Sequence, residues 1–201
     1  SGTPKRIRHS ATAALAAANL SAQRLGVQEI GAQGQWLLAL PINYVAGLNV
    51  LVRSAVAETQ PVVMNTAVSF TPEAFVLNTS MLRNEHKFTA LVPTQLQRLA
   101  VAATHDESVL RALRSYDAIL VGGQSVPSNL LEQLLDQHVN VVETYGAAET
   151  FGGVVYNGSP LDEVSISIDA QDRIAITSPT LSMDAQPKLI TNDVGELVDG
   201  K

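Results

Sequence analysis

The chain has 201 residues, of which 46% are apolar and 16% charged, with a formal net charge of -6 and no cysteine. Such a length and apolar content describe a globular chain able to bury a full core, in one domain or two small ones. The acidic balance argues against a nucleic-acid partner, because that binding rests on neutralising phosphate, and the lack of cysteine excludes disulfides and thiolate zinc sites.

No run reaches the roughly 20 apolar residues of a membrane span, and the basic start "PKRIRH" leads into no sustained apolar signal core. A soluble, cytoplasmic protein with no membrane partner is expected. In chain order, Ser10 caps a helix through "ATAALAAANLSAQRLG", with Gly26 as its stop. "QWLLALP" is a strand closed by Pro41, and "NYVAGLNVLVRSAVAE" a helix whose internal Gly47 implies close packing or ligand approach. "PVVMN" is a strand. "TPEAFVLNTSMLRNE" is a helix with Thr71 as cap and Pro72 at its first position. The strand "KFTALV", the helix "PTQLQRLAVAA", the strand "YDAILVGG", the helix "PSNLLEQLLDQH" and the strand "VNVVETYG" follow. Strands alternating with helices of this length imply βαβ units and a largely parallel sheet. After Gly146, which reads as a strand breaker, "EVSISID" and "DRIAITSP" alternate with period two across "AQD" and form an antiparallel hairpin. The expected fold is α/β: a largely parallel sheet with flanking helices plus a small antiparallel β appendage. Residues 1–160 form the α/β core and 161–201 a β-rich segment of the same domain.

Ligands of open α/β sheets sit at the carboxyl ends of the strands. Three loops lie at such ends: "LPINYVAG", "VGGQSVP" and "YGAAETFGG". Taken one residue at a time, each candidate has an ordinary reading. "GGQSV" is a broken nucleophile elbow, since Pro127 stands where glycine is required, and Ser125 then caps the next helix. His9, His86, His105 and His138 lack metal-ligand spacing and read as surface residues. Glu149 could cap a short helix, Asp193 could be a turn residue, Tyr145 a half-buried strand aromatic and Arg53 part of a solvated helix face.

Together the segments resemble the adenylate-forming acyl-CoA synthetase superfamily, in the right order. "SGTPK" (Ser1 to Lys5) looks like the tail of its phosphate-binding loop and "GGQSVP" its adenine-side loop. "YGAAET" is similar to its Tyr-Gly-x-Thr-Glu signature, with Ala148 for threonine, and "TNDVGELVDG" to its Thr-Gly-Asp segment, with Asn192 for glycine. "LALPINYVAGLNVLVRS" and "ETYGAAETFGGVVYNGSPL" resemble the branch that activates o-succinylbenzoate, an aromatic dicarboxylate.

The resemblance implies an AMP-forming acid–CoA ligase using ATP, Mg²⁺ and coenzyme A, acting on a small-molecule carboxylic acid, with a homodimer as one arrangement. It implies that Glu149 carries the metal, that Lys5 and Thr150 join it as catalytic residues, and that Thr3 and Lys5 handle the β and γ phosphates. Gly123, Gln124 and Ser125 would line the adenine on one side. Tyr145 would stack on it, Glu143 would accept from its amine, and Thr144, Gly146, Ala147 and Ala148 would complete the loop. Asp193 would grip the ribose. Tyr44, where the family often has histidine, would form the acyl pocket with Gly47, Gly152 and Arg53, the last facing the second carboxylate. The abrupt ends suggest a piece of a longer protein, without the C-terminal lid domain and its catalytic lysine, so that the chain alone would have low activity. Another aryl or fatty acyl ligase, or a non-catalytic nucleotide-binding or interaction module, are the competing readings.

Overall fold

The computed structural model describes residues 6–27 and 34–196. A seven-stranded sheet has the order β2-β1-β3-β4-β5-β6-β7. Its parallel part comprises β1 (Gln35–Leu38), β2 (Val62–Val63), β3 (Lys87–Leu91), β4 (Ala118–Gly122) and β5 (Val141–Ala147). β6 (Gly152–Tyr156) and β7 (Ser159–Pro160) add to the far edge antiparallel. β8 (Ser165–Ile168), β9 (Arg173–Thr177) and β10 (Leu189–Val194) make a separate three-stranded antiparallel sheet.

Side chains alternate across a strand, and the two faces of the large sheet carry different helices. Trp36, Leu38, Phe88, Ala90, Ala118 and Leu120 are buried in one cluster with Leu20 of α1 (Ala11–Arg24) and Val50 of α2 (Val45–Val56). Their sequence neighbours Leu37, Leu91, Ile119 and Val121 are buried in the other cluster. That cluster includes Phe75 of α3 (Pro72–Thr79), Leu96 of α4 (Pro93–Ala103), Leu113 of α5 (Glu107–Arg114) and Leu134 of α6 (Ser128–Asp136). A sheet covered on both sides needs apolar residues in every position, which is why its strands read as continuous apolar runs.

The chain runs from β1 outward to β2, then returns past β1 to β3. The strand order therefore reverses between β1 and β3, and a crevice opens there at the carboxyl ends.

Several expectations need correction. The third helix stops at Thr79 and does not continue to Glu85, because Oε1 of Gln35 accepts the backbone N–H groups of Arg83 (2.6 Å) and Asn84 (3.3 Å) and ties that stretch to the sheet. The eight-residue α5, capped by Asp106, is an additional helix. Gly146 does not end the strand: β5 runs to Ala147, pairing with β6 across a register shift. Asp193 lies in a strand, β10, and not in a turn. Pro127, not Ser125, is the N-cap of α6, without a side-chain bond.

Candidate active site

Two adjoining cavities occupy the carboxyl-end rim. The larger, about 580 Å³, lies in the crevice between β1 and β3, between the β1–α2 loop and the β5–β6 turn. The smaller, about 460 Å³, is bounded by residues 123–125 of the β4–α6 loop, by Glu143 and Tyr145 on β5, and by Asp193 on β10. Gly123, Thr144 and Gly146 line both. The pairing Gly122↔Thr144 explains this shared wall, because parallel neighbours β4 and β5 deliver their loops side by side. Thr144 Oγ1 donates to Val121 O at 3.2 Å, locking the two together.

The turn bearing Glu149 is fixed from every side. Thr150 is wholly buried; its hydroxyl accepts from Ala147 N (2.8 Å) and lies 2.6 Å from Gly152 O, within donating distance. The carbonyls of the turn are also taken. His9 Nε2 donates to Ala148 O at 2.8 Å, Ser182 N donates to Glu149 O at 2.7 Å, and Asn49 Nδ2 of α2 donates to Phe151 O. Phe151 and Gly152 have positive φ, 53° and 97°, which reverses the chain into β6. Gly146 is there for space: a Cβ would come within 2.0 Å of Gly152 O.

The larger cavity contains a buried cation. Arg53, in the last turn of α2, is 8% exposed and makes no ion pair among the described residues. Its guanidinium lies over the Trp36 ring, 4.9 Å from the centroid, and Nη2 donates to Tyr156 Oη at 3.1 Å. Arg53 Nε and Asn49 Oδ1, one helical turn apart, are both buried without hydrogen-bond partners. A buried cation without an ion pair among the described residues suits an anionic ligand, since burying charge is costly until it is paired. In the smaller cavity, Tyr145 Oη donates to Asp193 Oδ2 at 2.8 Å. Burial chiefly pushes the Tyr145 phenol up to about 12, with the Asp193 carboxylate adding to the rise against a lowering by Thr191, so it remains a neutral donor.

The rim thus gathers Gly123, Gln124, Ser125, Glu143, Thr144, Tyr145, Gly146 and Asp193 around one cavity. Tyr44, Arg53, Ala147, Ala148 and Gly152 line the other, with Tyr44 at its mouth and 65% exposed. Glu149 follows directly on that wall, half-buried in a 3-10 turn. Thr150 and Gly47 line neither cavity. Thr150, expected as catalytic, spends its hydroxyl inside the turn and positions Glu149's segment. Gly47, expected in the acyl pocket, packs under the β1–α2 loop, where a Cβ would meet Pro41 O at 2.4 Å. Thr3 and Lys5 lie outside the described residues. Asn49 and Tyr156 line the larger cavity without having been anticipated. Asn49 had a signal, a polar residue four before Arg53 on an otherwise apolar helix, whereas Tyr156 had none.

Among the described residues no three His, Cys, Asp or Glu side chains converge as a metal cluster. A single half-buried carboxylate is a donor set that fits Mg²⁺, which takes one or two carboxylates alongside phosphate and water, and does not fit a closed structural zinc site. Also among the described residues, no helix is long and apolar enough to cross a membrane.

The carboxyl-end rim of the sheet thus carries paired cavities, one bounded by an aspartate and a tyrosine and the other holding a buried arginine. The chain belongs to the AMP-binding enzyme family, whose model matches residues 1–199. It is 38% identical over 181 residues to a protein of Mycobacterium tuberculosis named "Probable 2-succinylbenzoate–CoA ligase", covering 90% of this chain and 45% of that protein. Escherichia coli MenE, solved with a bound phenylether-linked analogue of OSB-AMS, is 25% identical with a TM-score of 0.77, covering 100% of this chain and 45% of that one. The Bacillus subtilis o-succinylbenzoate CoA synthetase in complex with the acyl-adenylate OSB-AMP superposes with a TM-score of 0.82 at 23% identity, covering 98% of this chain and 45% of that one. The chain therefore spans under half the length of these relatives.

Proposed function

We propose that this chain is the nucleotide- and acyl-binding core of an AMP-forming acid–CoA ligase whose acid is o-succinylbenzoate. The observation that carries the reading is the pair of cavities meeting at Gly123, Thr144 and Gly146, with Arg53 buried in the larger one. Such a layout suits a reaction in which a carboxylate must meet the α-phosphate of ATP. The adenosine fits the smaller cavity, where Asp193 accepts from ribose hydroxyls while Tyr145 holds its other oxygen. Glu143 stands on the wall where an adenine amine would donate, and the backbone of Gly123 to Ser125 bounds the opposite side.

The acid fits the larger cavity with its aryl group over the apolar floor of Ala90 and Leu120. Arg53 takes the carboxylate that is not activated, since a guanidinium pairs with carboxylate in a fixed planar geometry. The other carboxylate then reaches the shared wall and the phosphate. Two anions must approach there, so fixed positive charge and dipoles carry most of the acceleration. Glu149 is the residue that would hold Mg²⁺, which when bound supplies charge neutralisation at the phosphate oxygens. The activated acid leaves the wall as an acyl-adenylate with release of pyrophosphate, and coenzyme A as co-substrate would then displace AMP to give the thioester.

The test is pyrophosphate release by the full-length gene product with ATP, Mg²⁺ and a panel of acids. o-Succinylbenzoate should be preferred over long-chain and monocarboxylic acids, and Glu149→Ala should lower the rate by about 100-fold or more. Preference for a long-chain acid would remove the dicarboxylate assignment. Activity unaltered by Glu149→Ala would remove the metal role.

A further inference from the structure

Protein groups approach the guanidinium of Arg53 from two directions. The Trp36 ring lies beneath it and so fixes its plane, while Tyr156 Oη takes Nη2 and fixes its rotation within that plane. Nε is left buried and without a partner. Tyr156 is 2% exposed, walls the larger cavity, and has its Oη 2.9 Å from Ser21 Oγ on α1. The direction of this chain follows from what each group can do. A guanidinium only donates, so the phenolic oxygen accepts from Arg53 and its single proton is available to Ser21.

We infer that Tyr156, backed by Ser21, is a positioning residue for acid specificity: it holds one guanidinium nitrogen so that the remaining N–H edge of Arg53 faces the acyl cavity. The inference rests on the proposed acid-activating function and extends it to residues that need not touch the acid. A long arginine side chain loses considerable rotamer freedom when ordered, and carboxylate recognition depends on the orientation of the donor fork. Holding the fork beforehand spares the ligand that cost. The hairpin carrying Tyr156 is itself clamped to the end of α1. Gln23 Nε2 donates to Asp162 Oδ2 at 2.5 Å, Arg24 Nη1 donates to Ser159 O at 3.2 Å, and Arg24 Nη2 donates to Pro160 O. Through this clamp α1 sets where Tyr156 stands relative to α2.

The experiment compares KM and kcat for pyrophosphate release by the full-length gene product with two acids. One is o-succinylbenzoate; the other is 4-oxo-4-phenylbutanoate, the same acid without its ring carboxylate. Tyr156→Phe should raise KM for the dicarboxylate about tenfold, the worth of one hydrogen bond to a charged group, and leave KM for the monocarboxylate unchanged. Its kcat should stay within about twofold of wild type, as expected for loss of uniform binding. Ser21→Ala keeps the phenol in place and should give the same pattern at smaller size. An equal rise in KM for both acids, or a fall in kcat alone, would mean that Tyr156 merely shapes the cavity and would overturn the inference. Arg53→Met separates this from the underlying reading. Loss of the dicarboxylate preference in Arg53→Met alongside an unselective Tyr156→Phe sinks only the positioning role, whereas a preference surviving Arg53→Met sinks both.

Discussion

Two glycines at the residue scale do different jobs that their shared identity conceals. Gly123 has φ +89° and open space around its missing side chain, while Gly146 has ordinary backbone angles and a carbonyl 2.0 Å from where a Cβ would sit. Alanine at Gly123 meets only the left-handed backbone penalty, about 1–2 kcal/mol. Alanine at Gly146 has to push β6 away from β5 against rigid backbone, and its cost should exceed that figure, as overpacking of a fixed framework does. Urea unfolding of the two variants should therefore rank Gly146→Ala as the less stable, and nucleotide binding should survive only in Gly123→Ala. The reverse order would mean that the β5–β6 turn yields easily and does not hold Glu149 in place. Sequence reading assigned Gly146 a strand-breaking role because a local pattern shows only that a side chain is missing. The reason it is missing lies in the facing carbonyl of Gly152, reached after the chain has reversed.

Legibility at the scale of elements depends on how local the cause is. Most of the helices and strands could be named from apolar runs, several with Pro, Ser or Thr at their starts, as with Thr71 accepting from Ala74 N at the start of α3. The end of α3 could not, because the residue that terminates it, Gln35, lies on β1. β6 was not anticipated, and its two glycines fall in the loop "YGAAETFGG", because "GGVVY" becomes a strand only by pairing with Thr144 to Ala147. The same distinction separates the site residues. The three strand-end loops were visible, and Arg53 was noticed, but Tyr156 matters through contacts with α1 and α2 more than a hundred positions away. At the opposite rim, β3 and β4 are tied by Asp117. It accepts Lys87 N at 2.7 Å and His86 Nδ1 at 3.0 Å. The hydrogen bond to Asp117, then its charge, raises the His86 pKa above its ordinary 6.5. The imidazolium is thus favoured in the fold, so this tie contributes fully below the unfolded pKa and is lost as pH rises through the folded one. An NMR titration should place the His86 midpoint above 6.5 in the native chain, and Asp117→Asn should bring it back down. A midpoint indifferent to that substitution would dissolve the tie.

For the whole molecule, the order of strands is what brings the chemistry together. The reversal between β1 and β3 opens the larger cavity, the adjacency of β4 and β5 supplies the wall it shares with the smaller one, and β10 carries Asp193 to the far side. The two cavities thus share a wall at Gly123, Thr144 and Gly146 and are otherwise lined by different residues. A ligand filling both should stabilise the fold more than one filling either, because stabilisation grows with the logarithm of ligand concentration over Kd. At a hundredfold excess over Kd that amounts to about 2.7 kcal/mol, or roughly 5–10 °C in Tm for a chain of this size. A non-hydrolysable o-succinylbenzoyl-adenylate analogue should therefore raise Tm well beyond the shift given by AMP at equal concentration. Arg53→Met should remove that surplus and leave the AMP shift in place, while Asp193→Ala should reduce both. If AMP alone matched the analogue in wild type, the larger cavity would contribute nothing to binding and its arginine would be serving the packing of α2 against Trp36 instead.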